Sequence, residues 1–414
     1  MRLVVLGGSA AATPELFDAL VDWPGGPDRR PPLEVVLVGR SVEKLEVVSR
    51  ECRRRVTAAQ GNGRTGPPIA VRAEPDRRRA LQGADVVLNQ VRVGGLAGRA
   101  FDETFPRAFG LPGEETMGPG GFANSVRTVP ALRPAWDDVA VIAASALVVD
   151  LTNPAGVVVA AARREYALNV LSVCDSPLSH TIAISERLGR ALGRVRARYL
   201  GMNHVGWYVP ESPGELAGLA DLAVGQDAAD VLTDGAVAAP YVRYYTHPDR
   251  MLAGQLGTAP RAEALQGLER ELLTAFADGR EGARRRGAAW YGLGVVPLLD
   301  AWRTGTTEIL ILGLFGGTNG EAGALSGVVT ESSVAAPGPA DLRPAPAVTL
   351  PPGPADLLAA HADYERRTVD AILAGATRAR LTEALTVNPM VRDDALAARL
   401  VEAILAGSPS GASV

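Results

Sequence analysis

Residues 2–22, RLVVLGGSAAATPELFDALVD, decide how the fold is read. RLVVL (2–6) is a short apolar, β-rich run, and Gly7-Gly8-Ser9 ends it. Residues 14–22 read as a helix, with Thr13 as N-cap and Pro14 at the first helical position. A buried strand, a glycine turn and a helix in that order place a ligand at the helix N-terminus. There the missing Cβ atoms let backbone N–H groups approach a pyrophosphate. A plain tight turn is the competing reading, because the spacing is Gly-Gly-Ser and not the full G-x-G-x-x-G.

The rest of the first half repeats the pattern. LEVVLV (33–38) reads as a second buried strand, and Ser41 as the cap of the helix EKLEVVSRECRRRV. Weaker or longer strands follow at 70–72, 85–91, within 140–151 and in LNVLSVCD (168–175). Continuously apolar strands alternating with helices predict a parallel sheet covered on both faces. After about residue 200 helices dominate, at 262–278, 281–303, 354–374, 379–386 and 392–406, with a strand at 307–315. Residues 334–354 read as a loop with a short strand. The expected organisation is a Rossmann-type dinucleotide-binding domain over 1–199, an α+β domain over 200–406 and a disordered tail, 407–414.

Composition narrows the function. The chain has 414 residues, 47% hydrophobic and 21% charged, with a net charge of −4. That suits a globular protein with a large core, and the absence of a basic run argues against binding to nucleic acid. No apolar stretch is long enough to span a membrane, and the N-terminal run reads as a strand and not a signal. The expected location is the cytoplasm. Two cysteines, Cys52 and Cys174, make no disulfide framework. Lys44 is the sole lysine among 42 basic residues, a codon-bias signature that lowers the weight of any one arginine.

Chemistry-bearing residues gather at strand ends. Gly39-Arg40-Ser41 stands where an acid would hold the ribose hydroxyls of NAD, so Arg40 either receives a 2′-phosphate, favouring NADP, or is a solvated arginine. The glycine-dense stretch GEETMGPGGFANSVRTVP (113–130) reads as a long loop, a substrate lid or a structural loop, before a helix start. Asn153, in LTNPAG, suits sugar hydroxyls or simply a helix cap. Cys174-Asp175 and His204 lie 30 residues apart; with only two protein ligands, any metal there would keep open positions for substrate. PYVRYY (240–245) crowds three of the eight tyrosines around Arg243, and a cation beside one would make it a base.

Taken in order, LGGSAAATPEL (6–16), GADVVLNQVRVGGLAGRAFDE (83–103), GEETMGPGGFANSVRTVP (113–130), LTNPAG (151–156), CDSP (174–177), GMNHVGW (201–207), PYVRYY (240–245), RAEALQGLERELL (261–273), RRGAAWYG (285–292) and ALTVNPMV (384–391) resemble glycoside hydrolase family 4. The resemblance implies a Rossmann-type domain followed by one like the C-terminal domain of lactate and malate dehydrogenases. It implies NAD, with NADP as the alternative, held by Gly7, Gly8, Ser9, Arg40 and Asn89. It implies Mn²⁺ on Cys174 and His204, and substrate at Arg92 and Asn153. It gives Tyr245 first and Tyr244 second as the base, with Asp175 as acid for the leaving oxygen. The implied reaction oxidises sugar C3, removes the C2 proton, eliminates the aglycone at C1, adds water and returns the hydride. The substrate would be a glucoside, 6-phosphorylated or not, and the protein a homodimer or homotetramer. The C-D-x-P setting resembles α-glucosidase members and RRGAAWYG the β-type, so the anomer stays open. Of the family's asparagine-rich second-domain segment, ILGLFGGTNGEAGALSG (311–327) keeps Asn319-Gly320, which leaves the 6-phosphate open too. A nicotinamide-dependent sugar dehydrogenase or epimerase is the alternative enzyme. A non-catalytic sensor is a third reading, weakened by retention of the thiol, imidazole and phenols.

Overall fold

Six strands run parallel in the order β3-β2-β1-β4-β5-β6: β1 Arg2–Leu6, β2 Leu33–Val38, β3 Ile69–Ala73, β4 Val86–Asn89, β5 Leu147–Asp150 and β6 Val170–Ser172. The computed structural model describes residues 1–22, 32–61, 68–222, 226–280, 285–304, 309–316, 329–335, 343–344 and 348–409. The expected disorder of the tail falls on residues that, from 410 on, lie outside those described, as does Asn319-Gly320.

Side chains alternate between two cores, which is why the strands read as continuous apolar runs. Leu3, Val5, Val35, Leu37, Val86, Leu88 and Val149 face one core, which helices α1 (Thr13–Val21) and α2 (Val42–Gly61) cover with Leu16, Phe17, Leu45 and Val48. Val4, Leu6, Val36, Val87 and Val148 face the other, under α5 (Gly118–Ile142) and α6 (Ala155–Tyr166), which contribute Leu132, Trp136 and Val157–Ala162. The crossovers reverse between β1 and β4, so a crevice opens there at the carboxyl edge of the sheet.

The second half extends the same sheet. β10 (Ile309–Phe315) pairs antiparallel with β6 at Gly313 and Ser172. β11 (Val329–Ala335), β7 (Tyr199–Met202), β8 (Val205–Tyr208) and β9 (Val237–Ala238) follow in that order, and β12 (Arg343–Pro344) pairs with β11. Helices Pro352–Leu373, Arg378–Thr386 and Asp394–Gly407 pack around β8 and α5 in a third core with Trp207, Phe122, Leu381 and Leu400.

Local readings differ from the structure at three places. Thr13 is the first residue of α1 and not its cap; its buried hydroxyl is taken by the Gln90 side chain. The expected helix over 281–303 is shorter. Tyr291–Val295 winds as a π-helix and an α-helix runs only over Val296–Thr304. Residues 113–130 are not a lid. Gly113–Met117 is buried and α5 starts at Gly118, because Gly120 and Gly121 let the backbone of Glu114 and Thr116 lie where side chains would stand. Ser41 caps α2 as read, accepting from Lys44 N.

Candidate active site

The glycine turn is a tight backbone structure. Gly7 has φ +82°, and a Cβ there would sit 3.0 Å from Gln90 O; one on Gly8 would sit 2.9 Å from Leu37 Cα. Among the described residues, the N–H groups of Ser9, Ala11 and Ala12 carry no hydrogen bond, while Gly8 N donates to Val38 O and Ala10 N to Gly7 O. Unspent donors at the positive end of α1, beside a cradle that a Cβ would fill, fit a pyrophosphate. Ser9 packs against Gly39, so Arg40, exposed at the end of β2, borders the same turn.

Asn89 does not belong to that cradle through its side chain. It is buried, and Nδ2 donates to Asp150 Oδ1 at 2.6 Å across β4 and β5. Asp150 also accepts from Thr152 N, and burial outweighs both bonds and pushes its pKa up to about 8. The next residue, Gln90, is the one that meets the turn. Its Nε2 donates to Gly7 O and to Thr13 Oγ1, and Tyr291 donates to its Oε1 at 2.5 Å. Nothing in the sequence pattern singles Gln90 out.

Across the crevice the residues are ionic. Arg92 pairs with Glu115, and Arg99 with Glu115 at 2.9 Å and Glu103 at 2.6 Å. Burial raises the pKa of Glu115, but the Arg92 and Arg99 guanidiniums outweigh it and hold the carboxyl down to about 2. Glu114 accepts from the N–H groups of Thr116 and Met117. Burial, with Glu115 beside it, pushes its pKa up to about 7. Asn124 Nδ2 donates to the carbonyls of Glu115 and Asn153, joining α5 to the loop after β5 and so placing Asn153 beside Glu115.

Cys174 lies two residues past β6, at the N-cap position of α7 (Asp175–Leu188), with Sγ 4.0 Å from Asp175 Oδ1. Burial raises the pKa of Asp175. His204 sits at the turn between β7 and β8 with φ +68°, buried, its Nδ1 without a partner among the described residues. Burial pushes its pKa down to about 4, leaving the imidazole neutral and able to ligate. Tyr241 stacks on it, ring centroids 4.1 Å apart at 12°, and the hydroxyl of Tyr241 is pushed up by burial and by Glu114, Cys174 and Asp175. The phenol is thus in ring contact with His204 and within electrostatic range of Cys174. A thiol and a neutral imidazole with an orphaned ring nitrogen fit a borderline-soft divalent ion. Among the described residues no third His, Cys, Asp or Glu completes a cage, which leaves positions for ligand oxygens. Cys52, by contrast, is fully buried and its thiol pushed well up.

The expected tyrosines are elsewhere. Tyr245 bonds His361 Nδ1 through its hydroxyl at 3.0 Å, and Tyr244 accepts from Gln255 Nε2 at 3.3 Å. Along the helical turn of residues 241–246, Tyr244 stacks on Tyr241 with ring centroids 6.2 Å apart and Tyr245 turns to His361, and among the described residues Tyr241 alone stacks on His204.

The fold and the site define an α/β protein with a dinucleotide-type crevice and a thiol–imidazole–phenol cluster on its far wall. The sequence profile described as family 4 glycosyl hydrolase matches residues 3–190. A probable 6-phospho-β-glucosidase of Bacillus subtilis (strain 168) is 28% identical over 98% of this chain and 96% of its own. The 6-phospho-β-glucosidase of Thermotoga maritima, solved with NAD and glucose-6-phosphate, is 25% identical and covers 98% of both chains with a TM-score of 0.85. A form of it with manganese, NAD⁺ and glucose-6-phosphate gives 24%, the same coverage and 0.85. Malate dehydrogenase of Naegleria fowleri shares the fold at 12% identity and a TM-score of 0.52, over 90% of this chain and 98% of its own. Residues 3–190 thus match the family 4 glycosyl hydrolases, and the chain as a whole shares the fold of the Thermotoga enzyme.

Proposed function

We propose that the chain is a 6-phospho-glucosidase that cleaves its substrate by transient oxidation and elimination, with NAD on the glycine turn and Mn²⁺ on Cys174 and His204. The observation that carries this reading is the stack of Tyr241 on His204, with Cys174 and Asp175 in electrostatic range of the phenol. When bound, the nicotinamide supplies a reversible hydride acceptor for sugar C3 and the divalent ion a Lewis acid for the oxygens at C2 and C3. The chain's own residues do the rest. Ser9, Ala11 and Ala12 offer N–H donors to the pyrophosphate at the start of α1. Tyr241 Oη would take the proton from C2 as a phenolate, a form that burial and Glu114 oppose and that a divalent ion on Cys174 and His204 would favour. Of the three tyrosines it is the one stacked on His204, whereas Tyr245 Oη bonds His361 and Tyr244 Oη accepts from Gln255. Asp175, next to Cys174, is the candidate acid for the leaving oxygen at C1, and burial shifts its pKa in that direction. Arg92 and Asn153 border the sugar, with Arg92 steadied by Glu115 and the loop of Asn153 by Asn124.

The test is an anaerobic assay with Mn²⁺, a thiol and NAD⁺ on nitrophenyl α- and β-glucosides, each with and without 6-phosphate. Release of nitrophenol that stops without either cofactor, with no net NADH, is the expected result. Accumulating NADH without release would instead mark a dehydrogenase.

A further inference from the structure

The segment from Arg285 to Tyr291 is tied to the start of α1 at three points. The Glu15 carboxylate accepts from the N–H groups of Arg286 at 2.5 Å, Gly287 at 3.3 Å and Ala288 at 2.8 Å. Asp18, one turn on, faces Arg285 at 3.6 Å. Tyr291, 1% exposed, donates to Gln90 Oε1, and Gln90 Nε2 in turn donates to Gly7 O and Thr13 Oγ1. The glycine turn and this segment are therefore linked through two side chains, Glu15 and Gln90.

Arg286 lies between these anchors. Its guanidinium stands over the Trp290 ring at 5.5 Å, half-buried, and feels the charges of Arg92, Arg99, Glu115 and Asp175. Glu115 neutralises Arg92 and Arg99 by direct contact. Arg286 has no carboxylate within ion-pair distance among the described residues. A half-buried cation with cationic neighbours and no counter-ion is a place for an anion, and an arginine fork suits a phosphoryl or carboxylate group.

We propose that Arg286 receives the anionic group of the glycoside, and that Glu15 and the Gln90–Tyr291 contact are positioning residues that hold it in register with the glycine turn. Dinucleotide binding on Gly7 then orders Gln90, Tyr291 and the Arg286 segment before the glycoside arrives. Each ligand tightens the other, since a coupling free energy is reciprocal. The inference rests on the proposed function and adds to it a specificity residue and a link between the two subsites.

Calorimetry on the full chain with Mn²⁺ and a thiol tests it, using NAD⁺ and glucose 6-phosphate as probes, each alone and with the other saturating. In the natural sequence each ligand tightens the other about fivefold or more. Tyr291→Phe and Glu15→Gln bring that factor close to one while NAD⁺ alone binds within about threefold of the original, and Glu15→Asp restores part of it. Arg286→Ala weakens glucose 6-phosphate about tenfold or more, leaves NAD⁺ unchanged and does not affect binding of plain glucose. Should Glu15→Gln fail to fold, Tyr291→Phe, which removes a single oxygen, decides alone. Coupling that survives in Tyr291→Phe, or full glucose 6-phosphate affinity in Arg286→Ala, overturns the proposal and leaves the glycosidase reading intact. Failure of both probes to bind the natural sequence overturns both.

Discussion

The two walls of the crevice are made of different materials. The turn wall is main chain and neutral side chains: Gly7, Gly8, the free N–H groups after them, Gln90, Thr13 and Asn89, with Asp150 behind them protonated near neutral pH by its burial. The far wall is ionised or ligating: Arg92, Arg99, Glu115, Cys174, Asp175 and His204, with Tyr241 among them. A ligand that brings its own charges needs only dipoles and shape, whereas proton movement at a sugar needs groups whose charge can change. The division implies that substitutions on the far wall cost turnover and those on the turn wall cost cofactor affinity.

The largest expected break comes from the thiol–imidazole pair. Cys174→Ser and His204→Ala should each lower manganese-dependent turnover about 10³-fold or more, about 4 kcal/mol of transition-state stabilisation, and abolish Mn²⁺ binding in calorimetry. NAD⁺ affinity should stay within about threefold, because the turn wall is untouched. An equal loss of NAD⁺ binding would mean that the walls are not separable.

Next comes the choice among adjacent phenols. Tyr241→Phe should lower kcat by about 10²- to 10⁴-fold with Mn²⁺ and NAD⁺ binding retained. Tyr245→Phe loses only the hydroxyl contact with His361 and should cost less than about tenfold. The reverse order in steady-state kinetics would return the base to Tyr245.

What was legible follows the same division. RLVVL, LEVVLV and DVVLN announce their strands because both faces of the sheet are buried, and Gly7-Gly8 announces the turn because only residues without Cβ fit there. Cys174 and His204 could be picked out by residue type and by family order. Tyr241 could not be separated from Tyr244 and Tyr245, because positions 241 and 244 share one side of the helical turn and the sequence does not say which ring meets His204. Glu15, Gln90 and Arg286 were invisible for another reason. The hydrogen-bond partners of the Glu15 and Gln90 side chains are 77 to 273 positions away in the chain, and four of them, Gly7 O and the N–H groups of Arg286, Gly287 and Ala288, are backbone atoms that carry no signature. The stretch 113–130 looked like a loop because its glycines imitate one. They are there because the chain passes too close to itself for side chains.

On the turn wall, Gly7→Ala is the sharpest probe. An alanine at φ +82° costs about 1–2 kcal/mol, and its Cβ presses on the Gln90 carbonyl. NAD⁺ affinity should fall about tenfold, while Mn²⁺ affinity without NAD⁺ stays as it was. Loss of Mn²⁺ binding in that variant would again join the two walls.

The last test is the pH dependence of stability, where the walls should act on opposite limbs. Asp150 titrates at about 8 in the folded chain and near 4 when unfolded, so between those values the unfolded state binds fewer protons. Its contribution therefore favours folding below about pH 4 and is lost as pH rises toward 8, by at most about 1.4 kcal/mol per pH unit. Asp150→Asn should flatten this alkaline decline in urea titrations run from pH 5 to 8. Glu115 has the opposite sign. Held to about 2, its carboxylate stabilises the fold above the unfolded value near 4, and that stability disappears as pH falls through 2. Glu115→Gln should remove this acid-limb dependence, lower stability at pH 7 because Arg92 loses its counter-ion and Arg99 keeps only Glu103, and leave the alkaline limb unchanged. If both substitutions moved the same limb, the neutral and the ionic wall would not be electrostatically distinct.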